Sequence, residues 1–313
     1  MILLRPEQTT AIIRHEGAKM ISDYRCFYCF TRAFERLISR DGISADAKDS
    51  FTRDMVKLYA ENWGNHNSPL FARELHSILR NYTGNSDPYR QEKKLYNDLA
   101  LGLLPDMKRI LRRSRDPFNT ALRLSIAGNI IDFAVNDTFN LHATLDRVLK
   151  SQFAIDHSEL LKKALGSARS VLYLGDNAGE IVFDKLFIET IDHPGLVYAV
   201  RGAPVINDAT IEDAEYVGMS EVARVVSNGF DAPSTVLSES SDEFRKLFRE
   251  ADLIISKGKG NLEGLIHLKD KRVFFLLMVK CNVMAEFLKV EKDSFVVFNP
   301  AGFDGEKNNI TGE

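Results

Sequence analysis

The sequence predicts an α/β protein: an N-terminal all-helical domain over residues 1–166, packed on a C-terminal Rossmann-like three-layer domain with a mainly parallel sheet over 167–313. Three observations carry this. The first half places apolar residues at helical spacing. From about Gly166 short β-rich runs alternate with helical stretches, the rhythm of βαβ units. Those runs are apolar throughout, as strands are when helices cover both faces of a sheet. A chain of 313 residues has ample core for two domains.

The elements follow in order. Between Asp23 and Arg40, residues Cys26, Phe30, Ala33, Phe34, Leu37 and Ile38 share one helical face, and Asp41-Gly42 stops the run. Ser44 to Asn62 and Ser68 to Tyr82 are further helices, the first amphipathic through Phe51, Met55, Leu58 and Tyr59. Asp87-Pro88 and Asp116-Pro117 mark two more starts, with an aspartate to cap free amides and proline at the first helical position. The helix after Asp116 is expected to run through TALRLSIAGNIIDFAV, with two shorter ones before Ser170. Strands are then expected at 171–174, 196–200, 223–226, 252–256, 272–279 and 294–298. The glycine-bearing tail from Asn299 reads as loose.

Composition narrows the function classes. A net charge of −3 offers no basic stripe for nucleic acid. The longest apolar run, Val273 to Val279, is far too short to cross a bilayer. The opening MILLRPEQTT has no basic n-region, full h-region or cleavage site, so the protein is expected in the cytoplasm. Three cysteines, two spaced CxxC, fit a reducing compartment. Cys26 and Cys29 lack the partners of a four-ligand zinc site, which favours packing over metal binding.

Open α/β sheets bind ligands at the carboxyl ends of their strands. After 171–174 come Gly175, Asp176 and Asn177, and Glu180 begins the next helix. The second strand runs into RGAPVINDAT, with Arg201, Asn207 and Asp208. The third is followed by Asn228, the fourth by SKGKGNLEG with Lys257, Asn261 and Glu263, and the fifth by Lys280. Early loops supply carboxylates and amides, late loops supply lysines. That combination suits a divalent metal facing a phosphate. Each piece has a plainer reading. Asp-Asn after a strand is ordinary turn chemistry, Asp208 can cap the following helix, and the glycines of KGKGN lack the Walker pattern. Lysine at the end of a buried strand is harder to explain without a partner.

Taken together, GDNAGE, NDAT followed by IEDA, SKGxGNxE and a late strand ending in KC resemble the metal-dependent damage-control phosphatases, a family long labelled domain of unknown function 89. CFYC, GNSDPYRQEK and GNIIDF are similar to motifs of its CxxC-bearing subgroup, so the resemblance spans nearly the whole chain. It implies a helical domain over a Rossmann-like one and a phosphatase needing Mn²⁺, Ni²⁺, Co²⁺ or Mg²⁺. The metal ligands then map to Asp176, Asn177 and Asp208. Lys280 corresponds to the lysine that contacts substrate phosphate, and Asn261 sits in the matching glycine loop. MVKC stands where another subgroup carries RTxK, so the resemblance does not by itself imply that subgroup's sugar-phosphate preference.

The expected substrate is a small phosphorylated metabolite: a sugar phosphate, a nucleotide or a damaged phosphometabolite. Asp208 is expected to orient an attacking water on Asp176-bound metal, and Lys280 to hold phosphoryl oxygens. Lys257, Arg201, Asn261 and Glu180 are expected to bind substrate. Asn129 and Asp132, three apart on an apolar helix, either line the cleft or pair within the core. Two other classes compete. A nucleotide-cofactor enzyme such as a methyltransferase shares strand-Gly-Asp, although Arg201 stands where a ribose-binding acid belongs. A non-catalytic phosphometabolite-binding protein would share most of these residues.

Overall fold

The computed structural model describes residues 23–40, 42–64, 68–128 and 148–302. Three helices come first: α1 (Tyr24–Ile38), α2 (Ala45–Asn62) and α3 (Ser68–Thr83). Asp23 caps α1 by accepting from the Arg25 amide at 2.7 Å, and Ser44 caps α2 through the Ala47 amide at 3.2 Å. These helices bury Phe34, Phe51, Tyr59, Phe71, Leu75 and Leu79 in a small core of their own.

Helices α4 (Arg90–Arg113) and α5 (Pro117–Ala127) behave differently. Their apolar faces, with Ala100, Met107, Leu122 and Leu124, join the main core against the sheet. Asp116-Pro117 acts as expected: the Asp116 carboxylate accepts from the Asn119 amide at 3.1 Å, and Pro117 opens the helix. Asp87-Pro88 does not. Its carboxylate folds back on the Tyr89 amide at 3.1 Å, a local Asx-type turn, and α4 begins at Arg90. The expected extension of α5 beyond residue 128, with Asn129 and Asp132, lies outside the described residues.

Seven strands form one sheet: β1 (Phe153–Asp156), β2 (Val171–Leu174), β3 (Leu196–Val200), β4 (Arg224–Ser227), β5 (Leu253–Lys257), β6 (Val273–Met278) and β7 (Phe295–Phe298). Their order is β1-β7-β6-β5-β2-β3-β4. All neighbours are parallel except β6 and β7. The six expected strands match to within one residue at each end. The seventh, β1, comes from the half read as helical, so the sheet begins upstream of residue 166. Alternate residues of each strand feed opposite cores. Tyr173, Tyr198 and Ile255 face α4, α5, α6 (Ser158–Ser167), α7 (Glu180–Ile191) and α8 (Ile211–Tyr216). Leu172, Ile254 and Phe275 face α9 (Asp242–Glu250), α10 (Gly258–Leu265) and α11 (Asn282–Leu288). No described helix is long and apolar enough to cross a membrane.

From β2 the chain moves to β3 and β4 on one side, then crosses to β5 and β6 on the other. The loops after β2 and β5 therefore diverge from adjacent strands. Such a switch of direction opens a crevice at the carboxyl ends of a parallel sheet.

Candidate active site

Residues 175–179, after β2, lie in that crevice. The loop is tied to the loop after β3 by a short antiparallel bridge between Asn177 and Asp208. The Ala209 amide donates to the Asp176 carbonyl at 2.8 Å, and the Ala178 amide to the Asn207 carbonyl at 2.9 Å. Asp176, Asn177 and Asp208, contributed by two separate loops, are thus neighbours by main-chain pairing. The Asn177 amide donates to Asp176 Oδ2 at 3.1 Å.

Arg201 lies between the two carboxylates. Its Nε donates to Asp208 Oδ2 at 2.6 Å, its Nη2 to Asp176 Oδ1 at 3.4 Å, and its Nη1 to Asn261 Oδ1 at 3.0 Å. The residue is 2 % exposed. Asn261, fully buried, also accepts from Thr235 Oγ1 at 2.9 Å and donates to the carbonyls of Gly175 and Lys257. Both side chains therefore clamp the loops after β2, β3 and β5 together, and their polar atoms are occupied by protein partners.

Lys257, the last residue of β5, is completely enclosed. Its Nζ sits 2.6 Å from Glu180 and 2.5 Å from Asp184, and donates to the Ser125 carbonyl at 3.0 Å. Burial works to lower its pKa, but the Asp184 and Glu180 carboxylates outweigh that and hold it above the ordinary lysine value. Asp184 also accepts from Tyr173 at 2.8 Å and Tyr198 at 3.0 Å. Neither Lys257 nor Arg201 faces solvent, so the two cations expected on the substrate side lie beneath the rim. Lys280 is different. It follows β6 half-buried, close enough for its charge to ease ionisation of Glu180.

The charges do not balance. Asp176, Glu180, Asp184 and Asp208 are buried acids, facing two enclosed cations and Lys280 at the rim. The consequence is visible in acidity. Desolvation first, then the Asp208 and Glu180 charges, push Asp176 well above the usual carboxylate range. Desolvation likewise raises Glu180 to about 7. A carboxylate pair held out of water against its own repulsion calls for added positive charge.

The donor chemistry fits a hard divalent cation. Among the described residues no three His, Cys, Asp or Glu side chains form a ready ligand cluster. Mg²⁺-type ions rarely use all-protein cages and are held by one or two carboxylates plus water and substrate phosphate. Asp176, Asp208 and the Asn177 amide supply that kind of set, whereas soft metals would need the thiols. Of those, Cys26 is buried in α1 and Cys29 is exposed, so packing accounts for only the first.

Gly258 completes the cradle. Its φ is +79°, and a Cβ there would stand 1.9 Å from Asp176 Oδ2 and 2.3 Å from Cγ. Gly258→Ala should therefore displace the carboxylate as well as strain the backbone. A displacement of about 1 Å can cost on the order of 10²-fold in rate. We expect a loss of that size in whatever turnover depends on Asp176, with a lower Tm; turnover within twofold of wild type would show that Asp176 need not sit where it does.

Two residues of this site escaped the sequence reading. Asp184 follows Glu180 by four in a mostly apolar helix, a spacing that places both carboxylates on one face. Ser125 contributes only a carbonyl, which no side-chain pattern can announce.

The damage-control phosphatase ARMT1-like domain matches residues 22–296. The chain belongs to this family. It is 33 % identical over 278 residues to the damage-control phosphatase PH1575 of Pyrococcus horikoshii, covering 87 % of this chain and 96 % of the relative. A damage-control phosphatase of Archaeoglobus fulgidus is 36 % identical over 252 residues, 78 % of this chain and 86 % of the relative. The crystal structure of PH1575, described as a DUF89 family protein, superposes with a TM-score of 0.83 at 31 % identity, over 89 % of this chain and 99 % of that one. The helical-plus-Rossmann-like architecture is thus that of the family, and a phosphatase is the activity that membership supports.

Proposed function

We propose that the protein is a divalent-metal-dependent phosphatase that hydrolyses phosphate monoesters of small damaged metabolites. The observation that carries this reading is the excess of buried carboxylate at the strand-end crevice, with Asp176, Asn177 and Asp208 brought together by the pairing of their loops. These three residues would hold the metal. When bound, it would polarise the phosphoryl group and supply an acidified water for in-line attack.

The chain's own groups do the rest. Arg201 fixes Asp208 through Oδ2, so that this carboxylate can orient the attacking water and take up its proton. Lys280 holds the non-bridging oxygens as charge shifts towards the leaving group. Glu180 stands behind it, and the Lys257–Asp184 pair keeps Glu180 anchored. Arg201, Asn261 and Lys257 act as positioning residues, because each is buried with its polar atoms engaged. The absence of a carboxylate at the end of β3 weighs against a ribose-binding cofactor enzyme.

A matrix of divalent metals against phosphate monoesters tests the proposal. Release of inorganic phosphate is expected with Mn²⁺, Ni²⁺, Co²⁺ or Mg²⁺ and not with chelator. Substrate binding without release under every metal would instead identify a phosphometabolite-binding protein.

A further inference from the structure

A second buried polar node lies beside the crevice, built by a helix that carries none of the proposed ligands. Asn97, on α4, is 1 % exposed. Its Oδ1 accepts the Gly179 amide at 2.7 Å, and its Nδ2 donates to Asp213 Oδ1 at 3.1 Å. Gly179 stands two residues beyond Asn177. Asp213 in turn accepts, through Oδ2, the Thr210 amide at 3.0 Å and the Thr210 hydroxyl at 2.8 Å. Thr210 stands two residues beyond Asp208. Asn97 therefore bonds directly to the loop that carries Asp176 and Asn177, and reaches the loop of Asp208 through Asp213 and Thr210.

The node is neutralised and held from its own helix. Lys93, one turn before Asn97, lies 3.1 Å from Asp213 and 2.9 Å from Asp87, and is itself buried. The approach is close: Gly179 has φ +76°, and a Cβ there would meet Tyr96 at 3.0 Å. Residues this enclosed, fully hydrogen-bonded and joined to two loops at once have few alternative arrangements. Groups that orient ligands without touching the metal commonly change metal affinity by 10–100-fold when removed.

We infer that Asn97 is a positioning residue for the metal site, reinforcing from the helical side of the molecule the main-chain pairing of the two ligand-bearing loops. The inference rests on the reading of Asp176, Asn177 and Asp208 as metal ligands. Its chemistry is geometric: neither nitrogen nor oxygen of Asn97 needs to approach substrate. Loosening the strut should let the Asp208 loop drift from Asn177, weakening the cation's hold while leaving the phosphate-facing Lys280 in place.

The test is Mn²⁺ binding to the full-length protein by calorimetry, with phosphatase KM and kcat at saturating Mn²⁺ measured alongside. Asn97→Ala should weaken Mn²⁺ binding by roughly 10-fold or more, with KM for substrate changed by less than about threefold. Leu79→Ala, a cavity variant in the α1–α3 core, should lower Tm yet bind Mn²⁺ like wild type. Should Asn97→Ala fail to fold, Thr210→Val carries the test: it keeps the side-chain shape, removes one bond to Asp213, and is expected to weaken Mn²⁺ binding several-fold. Wild-type affinity in whichever of these two variants folds overturns the inference, as does an equal loss in Leu79→Ala. If the wild-type protein itself binds no Mn²⁺, the metal-site reading fails instead.

Discussion

Asp176→Ala is expected to abolish metal-dependent phosphate release while leaving the metal-free protein as stable as wild type, or more so. The two halves of that result have different causes. Loss of activity follows from removing one of the three proposed oxygen ligands: metal stabilisation of a phosphoryl transition state is worth several kcal/mol. At about 1.4 kcal/mol per tenfold, that predicts a fall of roughly 10³-fold or more. Retained stability follows from the electrostatics. Asp176 is desolvated and repelled by Asp208 and Glu180, so its ionised form is disfavoured in the fold. Its removal leaves Arg201 still bonded to Asp208 and Asn261. A Tm series with and without Mn²⁺ separates the effects: wild type should gain stability from the ion, and the variant should not. Unchanged turnover, or an undiminished Mn²⁺ response, would remove Asp176 from the metal site.

Lys257→Met should do the reverse, damaging the fold first. The lysine is the enclosed counter-charge to Glu180 and Asp184, and methionine preserves much of its length without its charge. Breaking a buried ion pair by deleting one partner costs about 3–5 kcal/mol. That is a large share of the roughly 5–15 kcal/mol that stabilises a typical protein. The loss should depend on pH in a defined direction. Glu180 already has its folded-state pKa raised from 4.5 to about 7, chiefly by desolvation. The folded protein therefore holds this proton more readily than the unfolded chain, and stability contributed here falls as pH rises between those values. Without Lys257 the carboxylate is harder still to ionise, so the deficit should shrink as pH is lowered towards 4.5. Denaturant midpoints at pH 5 and pH 8 give the comparison; an equal deficit at both would mean that Lys257 acts through packing, not charge.

How far these features could be read from the chain depended on whether the signal was local. The strands β2, β3, β5, β6 and β7 were legible because each is a short, mostly apolar run that is almost wholly buried. The edge strand β4 was legible from its valine pair despite the exposed Arg224. β1 was not. Its four residues, FAID, bury only Phe153 fully, since it stands at the sheet edge, and they fell within the half read as helical. Asp87-Pro88 carried the right letters for a helix start, but Asp87 bonded the amide two residues on and delayed α4 to Arg90. In the candidate site, placement in the loops after strands singled out Asp176, Asp208 and Lys280 as candidates. It could not tell which way the cations point. Lys257 turns inward because its partners Glu180 and Asp184 arrive from α7, with Asp184 73 residues away, and Arg201 turns to the carboxylates it separates. The partners of Asn97 could not be read for the same reason, as they lie 82 and 116 positions downstream.

The position of β1 has a consequence for how the molecule can be divided. Residue 166 marks a change of rhythm in the sequence, yet a cut there would remove β1 from β7, baring a row of main-chain donors and acceptors on a strand with no residue exposed. Such a bare margin is a template for pairing with other chains. The same cut would take away α5, and with it the Ser125 carbonyl that receives the Lys257 ammonium from 132 positions away. The crevice is therefore not the property of a portable C-terminal module. It comes into being only when segments from both halves of the chain have met, so a fragment begun at residue 167 should be prone to self-association and not fold as an independent module.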